Sequence, residues 1–169
     1  MLNASSLDTR GRARRRAALG LISGALLVAG AKTSAASPRL EDFTASTWAQ
    51  WQKDLPRPAV VVFSTTYCPT CPEVFSDLAA SVKKTGSRAP MIAVVMNADG
   101  LRELPHLTHY QHADRIFVFR GPEAALRFSV NPQWRGVTPY VALFGPSGPP
   151  SLVAGRPSAE QLRPVLAAR

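Results

Sequence analysis

The chain has 169 residues, 46% of them hydrophobic and 18% charged, which suits one packed domain and excludes wholesale disorder. Its formal charge of +9 is unevenly spread: residues 1–36 hold six basic residues and one acid, a net of +5, while the remaining 133 hold 14 basic and 10 acidic residues, a net of +4. A mildly basic body without a basic run excludes nucleic acid as the main partner.

In chain order, the first 36 residues have the pattern of an export signal. "RGRARRR" is a charged lead, residues 17–31 are 15 uncharged and mostly apolar residues, and "SAAS" offers small residues for cleavage after Ala36. The apolar stretch falls short of the ~20 residues that a spanning helix needs. "RRAALG", Arg15 to Gly20, resembles the twin-arginine signals of bacteria, with Arg14 where Ser or Thr is usual and Ala18 where Phe is common. The other readings are an ordinary secretory signal and an uncleaved anchor. The expected product is periplasmic, or membrane-anchored if the segment stays on.

Residues 38–43, "PRLEDF", read as a polar lead-in. A helix is expected over 44–55, with Thr44 or Ser46 as its cap and Trp48, Trp51 and Leu55 recurring at helical spacing. "AVVVFS", 59–64, is a short β-branched run of the kind buried on both faces of a parallel sheet. Two cysteines follow, Cys68 and Cys71, and then a helix through "PEVFSDLAASVKKTG", with Lys83 and Lys84 in its last turn and Gly86 as its stop. "PMIAVVM", 90–96, is a second buried strand, which completes a βαβ unit.

Further on, a helix is expected over 101–112, broken or started near Pro105, then a strand over 115–119 and a short helix over 121–130 opened by Pro122. "YVALF" and "PSLVAG" flank "GPSGP" as a hairpin, and Pro149 and Pro150 mark its second strand as an edge. A closing helix over 158–168 starts with a capping box, Ser158 with Gln161. The expected fold class is α/β: a central mixed sheet with helices on both faces.

The pair C-P-T-C can be a redox couple, a metal clip or two buried thiols. In an oxidising compartment a close pair tends to form a disulfide. A bridge over so short a loop adds little chain-entropy stabilisation, which favours a chemical role over a structural one. A helix amino end stabilises a thiolate. On this geometry Cys68 sits at an exposed tip and attacks, and Cys71, one turn in, resolves the mixed disulfide. Pro72 leaves the helix start open: at Cys68, or at Pro72 with Cys71 as cap. Glu73 is the only acid near the pair. It can relay a proton for Cys71 or simply complement the helix dipole, and the second reading is preferred.

"VVVFSTTYCPTC", then "VTPY", then a hairpin and a terminal helix resemble the thioredoxin superfamily over residues 45–168. The intervening "RIFVFRGPEAALRFSV" resembles the strand–helix insertion of its periplasmic TlpA/ResA-like branch. The resemblance implies a thioredoxin-like domain over 37–169 behind the signal at 1–36. It implies that Pro139 is a cis-proline facing Cys68 and Cys71, and that the backbone of Thr138 pairs with a substrate strand. It also implies a thiol–disulfide oxidoreductase with no cofactor beyond a redox-active Cys68–Cys71 disulfide. Its partners would be protein disulfides or thiols, among them apocytochrome c or a copper-site protein, with re-reduction by a membrane electron donor. Three positions depart from the family: Tyr67 for Trp, Val62 for a buried Asp, and Val74 where a buried Glu is common, with Glu73 one place early. Trp134 can line the substrate groove or be a buried loop aromatic.

The histidines all fall in "HLTHYQH": His106, His109 and His112. As a stripe on one helix they are a polar face or part of a metal site. "YCPTCP" also resembles the Cys-x-x-x-Cys-Pro of Sco-type copper chaperones, one residue short and without a later histidine. This second reading has Cu(I) bound by Cys68, Cys71, His106, His109 and His112. A third is a binding module without redox activity, against which the presence of both cysteines speaks.

Overall fold

A computed structural model of the chain describes residues 40–98 and 110–167. The elements run β1 (Leu40–Phe43), α1 (Ala45–Asp54), β2 (Ala59–Ser64), α2 (Cys71–Thr85), β3 (Met91–Val95), β4 (Arg115–Phe119), α3 (Glu123–Val130), β5 (Tyr140–Phe144), β6 (Ser151–Ala154) and α4 (Ala159–Leu166). The expected export segment lies outside the described residues. Among the described residues no helix is long and apolar enough to cross a membrane.

Six strands form one mixed sheet in the order β1-β4-β3-β2-β5-β6. The first four in that order run parallel, with Val62 beside Ala93 and Ala93 beside Ile116. β5 is antiparallel to β2, placing Tyr140 beside Phe63, and β6 is antiparallel to β5. This α/β topology, with the cysteine segment after the central β2 and a terminal hairpin, is the one that the thioredoxin resemblance implies.

The period-2 alternation of buried strands divides the core in two. Val60, Val62, Ala93, Val95, Ile116 and Val141 face α2 and α4, meeting Val74, Phe75, Leu78 and Val165. Val61, Phe63, Ile92, Val94, Phe117 and Phe144 face α1 and α3, meeting Trp48, Trp51, Leu126 and Val130. Burying one such side chain stabilises by about 1.5–3 kcal/mol, so these two layers dominate the fold. The second layer is aromatic, with Phe43 stacked on Phe119 at 5.3 Å and Trp51 edge-on to Phe117 at 4.8 Å.

Helix ends follow their local chemistry. Thr44 caps α1, its hydroxyl accepting from the Thr47 N–H while the Thr47 hydroxyl accepts from the Thr44 N–H. Gly86 closes α2 at φ +68°, a left-handed conformation that glycine adopts without a Cβ clash. The capping box of Ser158 and Gln161 opens α4 as expected.

One expectation is corrected. "LEDF" is an edge strand, not a lead-in, paired in parallel with β4 from Leu40–Ile116 to Phe43–Phe119. Only Phe43 of its four residues is buried, so no apolar pattern marks it. Cross-strand charge holds it as well: Arg115 grips Glu41 with two hydrogen bonds and Arg120 pairs with Asp42 at 2.8 Å. The helix expected over 101–112 falls mostly outside the described residues; of its described part, Tyr110 is in a 3-10 turn and 111–112 form a turn.

Candidate active site

β2 ends at Ser64, and the chain then passes through Thr65, Thr66 and Tyr67 to the cysteines. The Cys68 N–H donates to the Thr65 carbonyl at 3.2 Å, tightening this loop. Cys68 and Cys71 form a disulfide with their Cα atoms 5.5 Å apart. Neither expected helix start holds. Thr70 is the N-cap, Cys71 is the first helical residue, and Pro72 and Glu73 complete the first turn. Pro72 therefore sits where the missing N–H has no intrahelical partner to lose. The Thr70 hydroxyl makes no capping bond and instead lies 3.9 Å from Cys68 Sγ.

Burial corrects another expectation. Cys68 is not an exposed tip: it is 8% exposed, and Cys71 3%. The tip is Tyr67, at 76%.

The antiparallel register brings the next part of the site. Because Tyr140 is beside Phe63, Pro139 lies at the same carboxyl edge of the sheet as the cysteine loop. The Thr138–Pro139 bond is cis, and Pro139 is buried. The loop ahead of it is braced by its own side chains. Trp134 is buried, stacked on Tyr140 at 4.4 Å and tilted against Phe63, and its indole N–H donates to the Val137 carbonyl at 2.9 Å. Asn131 Nδ2 donates to the Tyr140 hydroxyl at 2.7 Å. Trp134 is thus the buried loop aromatic of the two readings, and it leaves Val137 presented to solvent.

Glu73 is exposed, and its carboxylate pairs with Arg156 at 2.7 Å. The two positions at which the resemblance pointed to a buried acid are apolar: Val62 and Val74 are both buried. In that layer the polar groups that sequence reasoning missed are the hydroxyls of Ser64 and Tyr110, 3.3 Å apart and both buried. Burial raises the Tyr110 pKa above its ordinary value, and the Ser64 hydrogen bond partly opposes this. Alternation along β2 predicts the inward face of Ser64, but nothing local points to Tyr110 as its partner.

His112, the one histidine among the described residues, is not brought to the cysteines. His112 is exposed near Met91, Lys83 and Asp114, at the amino end of β3 and the carboxyl end of α2. Cys71 opens that same helix, 12 residues before Lys83 and so about 18 Å from it along the axis. His106 and His109 lie outside the described residues. Among the described residues no group of three or more His, Cys, Asp or Glu could hold a metal ion.

No family model matches the chain, and no curated protein is significantly similar to it. Among solved structures it is similar to a secreted disulfide oxidoreductase of Mycobacterium tuberculosis homologous to E. coli DsbE. The identity is 16% over 65% of this chain and 80% of that one, with a TM-score of 0.45. It is also similar to a thio-disulfide isomerase of Thermus thermophilus, at 20% identity over 79% of this chain and 97% of that one, again with a TM-score of 0.45.

Proposed function

We propose that this chain is an exported thiol–disulfide oxidoreductase that reduces disulfides of periplasmic proteins. The observation that carries the reading is a Cys68–Cys71 disulfide at the amino end of α2, on the same sheet edge as Pro139. In the reduced form the Cys68 thiolate attacks one sulfur of a client disulfide. The client S–S bond breaks, a mixed disulfide forms, and the first client thiolate leaves. The Cys71 thiolate then attacks Cys68 Sγ and releases the second client thiolate. The client gains two electrons and takes up two protons, and Cys68–Cys71 is left oxidised. The reduced form is restored by two electrons from a membrane dithiol donor.

The helix amino end favours the attacking thiolate. Tyr67, next to Cys68, and Val137, two residues before Pro139, are both exposed and suit an apolar client segment. Thr138 offers backbone for that segment to pair with. The charged and apolar pattern of residues 1–36 supports export, by the twin-arginine route in this reading, and periplasmic residence. Apocytochrome c and copper-site proteins are the client classes that the TlpA/ResA resemblance suggests. The redox-active disulfide is the only cofactor in this reading.

The deciding experiment is the equilibrium potential of the cysteine pair, with Cu(I) titrated in parallel. A reversible two-electron couple at or below about −250 mV supports a reductase, and one near about −120 mV makes the chain an oxidant. The Cys71→Ser variant should accumulate mixed disulfides, and Cys68→Ser should form none. No reversible couple, with tight 1:1 Cu(I) binding lost in either cysteine variant, would overturn the proposal in favour of a copper chaperone.

A further inference from the structure

Arg156 follows β6, far from the cysteines in sequence, yet its guanidinium meets α2 twice. Nη2 donates to Glu73 Oε1 at 2.7 Å, and Nη1 is paired with Asp77 Oδ2. Glu73 and Asp77 are four residues apart, on one face of the first two turns of α2. The residue before Arg156 reaches the other half of the site: the Gly155 N–H donates to the Pro139 carbonyl at 2.8 Å. One dipeptide therefore touches both the cysteine helix and the Pro139 segment.

The arrangement answers an electrostatic conflict. Carboxylates in the first turns favour the helix itself. They oppose a thiolate at the same end, because like charges repel. Half-exposed ion pairs do little for stability, so holding the fold together is a weak reason for this one. Their field is felt within about 8–10 Å at ordinary salt.

The remaining charged and titratable groups around this end are few among the described residues. Tyr110 is buried on Ser64 in the layer against α2, Tyr67 lies in the loop before α2, and Arg135 is exposed on the loop before Pro139. On α4, Glu160 and Arg163 are highly exposed and 4.0 Å from each other.

We propose that Arg156 is a positioning residue that keeps the amino end of α2 more receptive to the Cys68 thiolate, by offsetting one of the two charges of Glu73 and Asp77 and tying both side chains to the Pro139 segment. The inference rests on the oxidoreductase reading for its purpose, though the effect on Cys68 exists without it. Removing the cation leaves two unpaired carboxylates in the first turns of α2. Removing Glu73 leaves Arg156 matched by Asp77 alone. The two changes must act in opposite directions.

The test uses the full domain with Cys71→Ser, so that only Cys68 titrates, and follows the rate of iodoacetamide alkylation against pH. Arg156→Gln should raise the apparent Cys68 pKa by a few tenths, about the size expected when a unit charge within one screening length is lost in a solvent-like dielectric. Glu73→Gln should lower it by a similar amount, and Arg156→Lys should stay near the parent. Both shifts should shrink in 1 M salt, where the screening length falls to about 3 Å. A purely structural bridge predicts shifts of the same sign for Arg156→Gln and Glu73→Gln. That result, or no shift in either, overturns the inference. Disulfide exchange by the unmodified chain is measured alongside. Its absence would sink the oxidoreductase reading, while the alkylation profiles would still decide the role of Arg156.

Discussion

Thr66 and Asn97 hold one another by two hydrogen bonds: the Thr66 N–H donates to Asn97 Oδ1 at 2.8 Å, and Asn97 Nδ2 donates to the Thr66 hydroxyl at 2.7 Å. Thr66 stands two residues before Cys68, and Asn97 two residues after β3. The pair pins the cysteine loop to the neighbouring strand end. Asn97→Ala leaves a half-buried N–H without its partner and should cost about 1–2 kcal/mol. In Asn97→Asp the carboxylate still accepts from the N–H, and the Thr66 hydroxyl can turn to donate, so the cost should be clearly smaller. Urea unfolding of both variants checks this. Equal losses would show that the two bonds do not carry the effect.

Thr65 is 3% exposed, and its hydroxyl oxygen is buried without a hydrogen-bond partner among the described residues. A buried hydroxyl in that state is a net cost. Valine has nearly the same shape without the oxygen. Thr65→Val should therefore raise stability by about 1 kcal/mol. The same unfolding measurement tests it, and a loss of stability would mean that the hydroxyl finds a partner in solution.

Tyr110 makes a prediction about pH. Its folded pKa is raised, chiefly by burial. Below about pH 10 the phenol keeps its proton in both states, and its contribution to stability is complete. Above that, the unfolded chain releases the proton and the folded chain holds it. The folded state then binds more protons, so stability falls as pH rises towards the folded pKa. Unfolding free energy measured from pH 9 upward should drop more steeply in the parent than in Tyr110→Phe. Identical slopes would show that Tyr110 ionises as freely folded as unfolded.

How legible these features were depended on the range over which their causes act. "AVVVFS" and "MIAVV" are marked by their own composition, because a strand covered on both faces must be apolar throughout. The caps at Thr44, Ser158 and Gly86 are equally local. β1 was not legible, because its pairing with β4 links residues more than 70 positions apart and buries only Phe43. The burial of Cys68 was missed for a similar reason. A loop position after a strand reads as exposed until the chain folded back over it is known. Arg156 and Tyr110 carry no sequence signal either: each acts through a partner that only the tertiary fold supplies. CxxC itself was visible at once, but the cap of its helix at Thr70 and its distance from His112 were not.

The stability of the two redox forms gives a last prediction, on the direction of electron flow. Cys68 and Cys71 are three positions apart, so the closed loop is very short. Loop-closure entropy then favours the oxidised form by about 2 kcal/mol at most. Whatever else distinguishes the forms comes from how the folded site treats the free thiols. A site that strongly stabilises a thiolate makes the reduced form the more stable one, and the folded protein is then an oxidant. The same cycle read backwards requires a reductase to be more stable oxidised than reduced, relative to the unfolded chain. Here the thiols meet a helix amino end, which favours the thiolate, but also Glu73 and Asp77, which oppose it. Arg156 offsets one of these two charges and leaves a net carboxylate. The balance favours the disulfide, so the oxidised form should unfold at higher urea than the reduced one. A reduced form that outlasts the oxidised one would reverse the proposed direction while leaving the exchange chemistry of the pair intact.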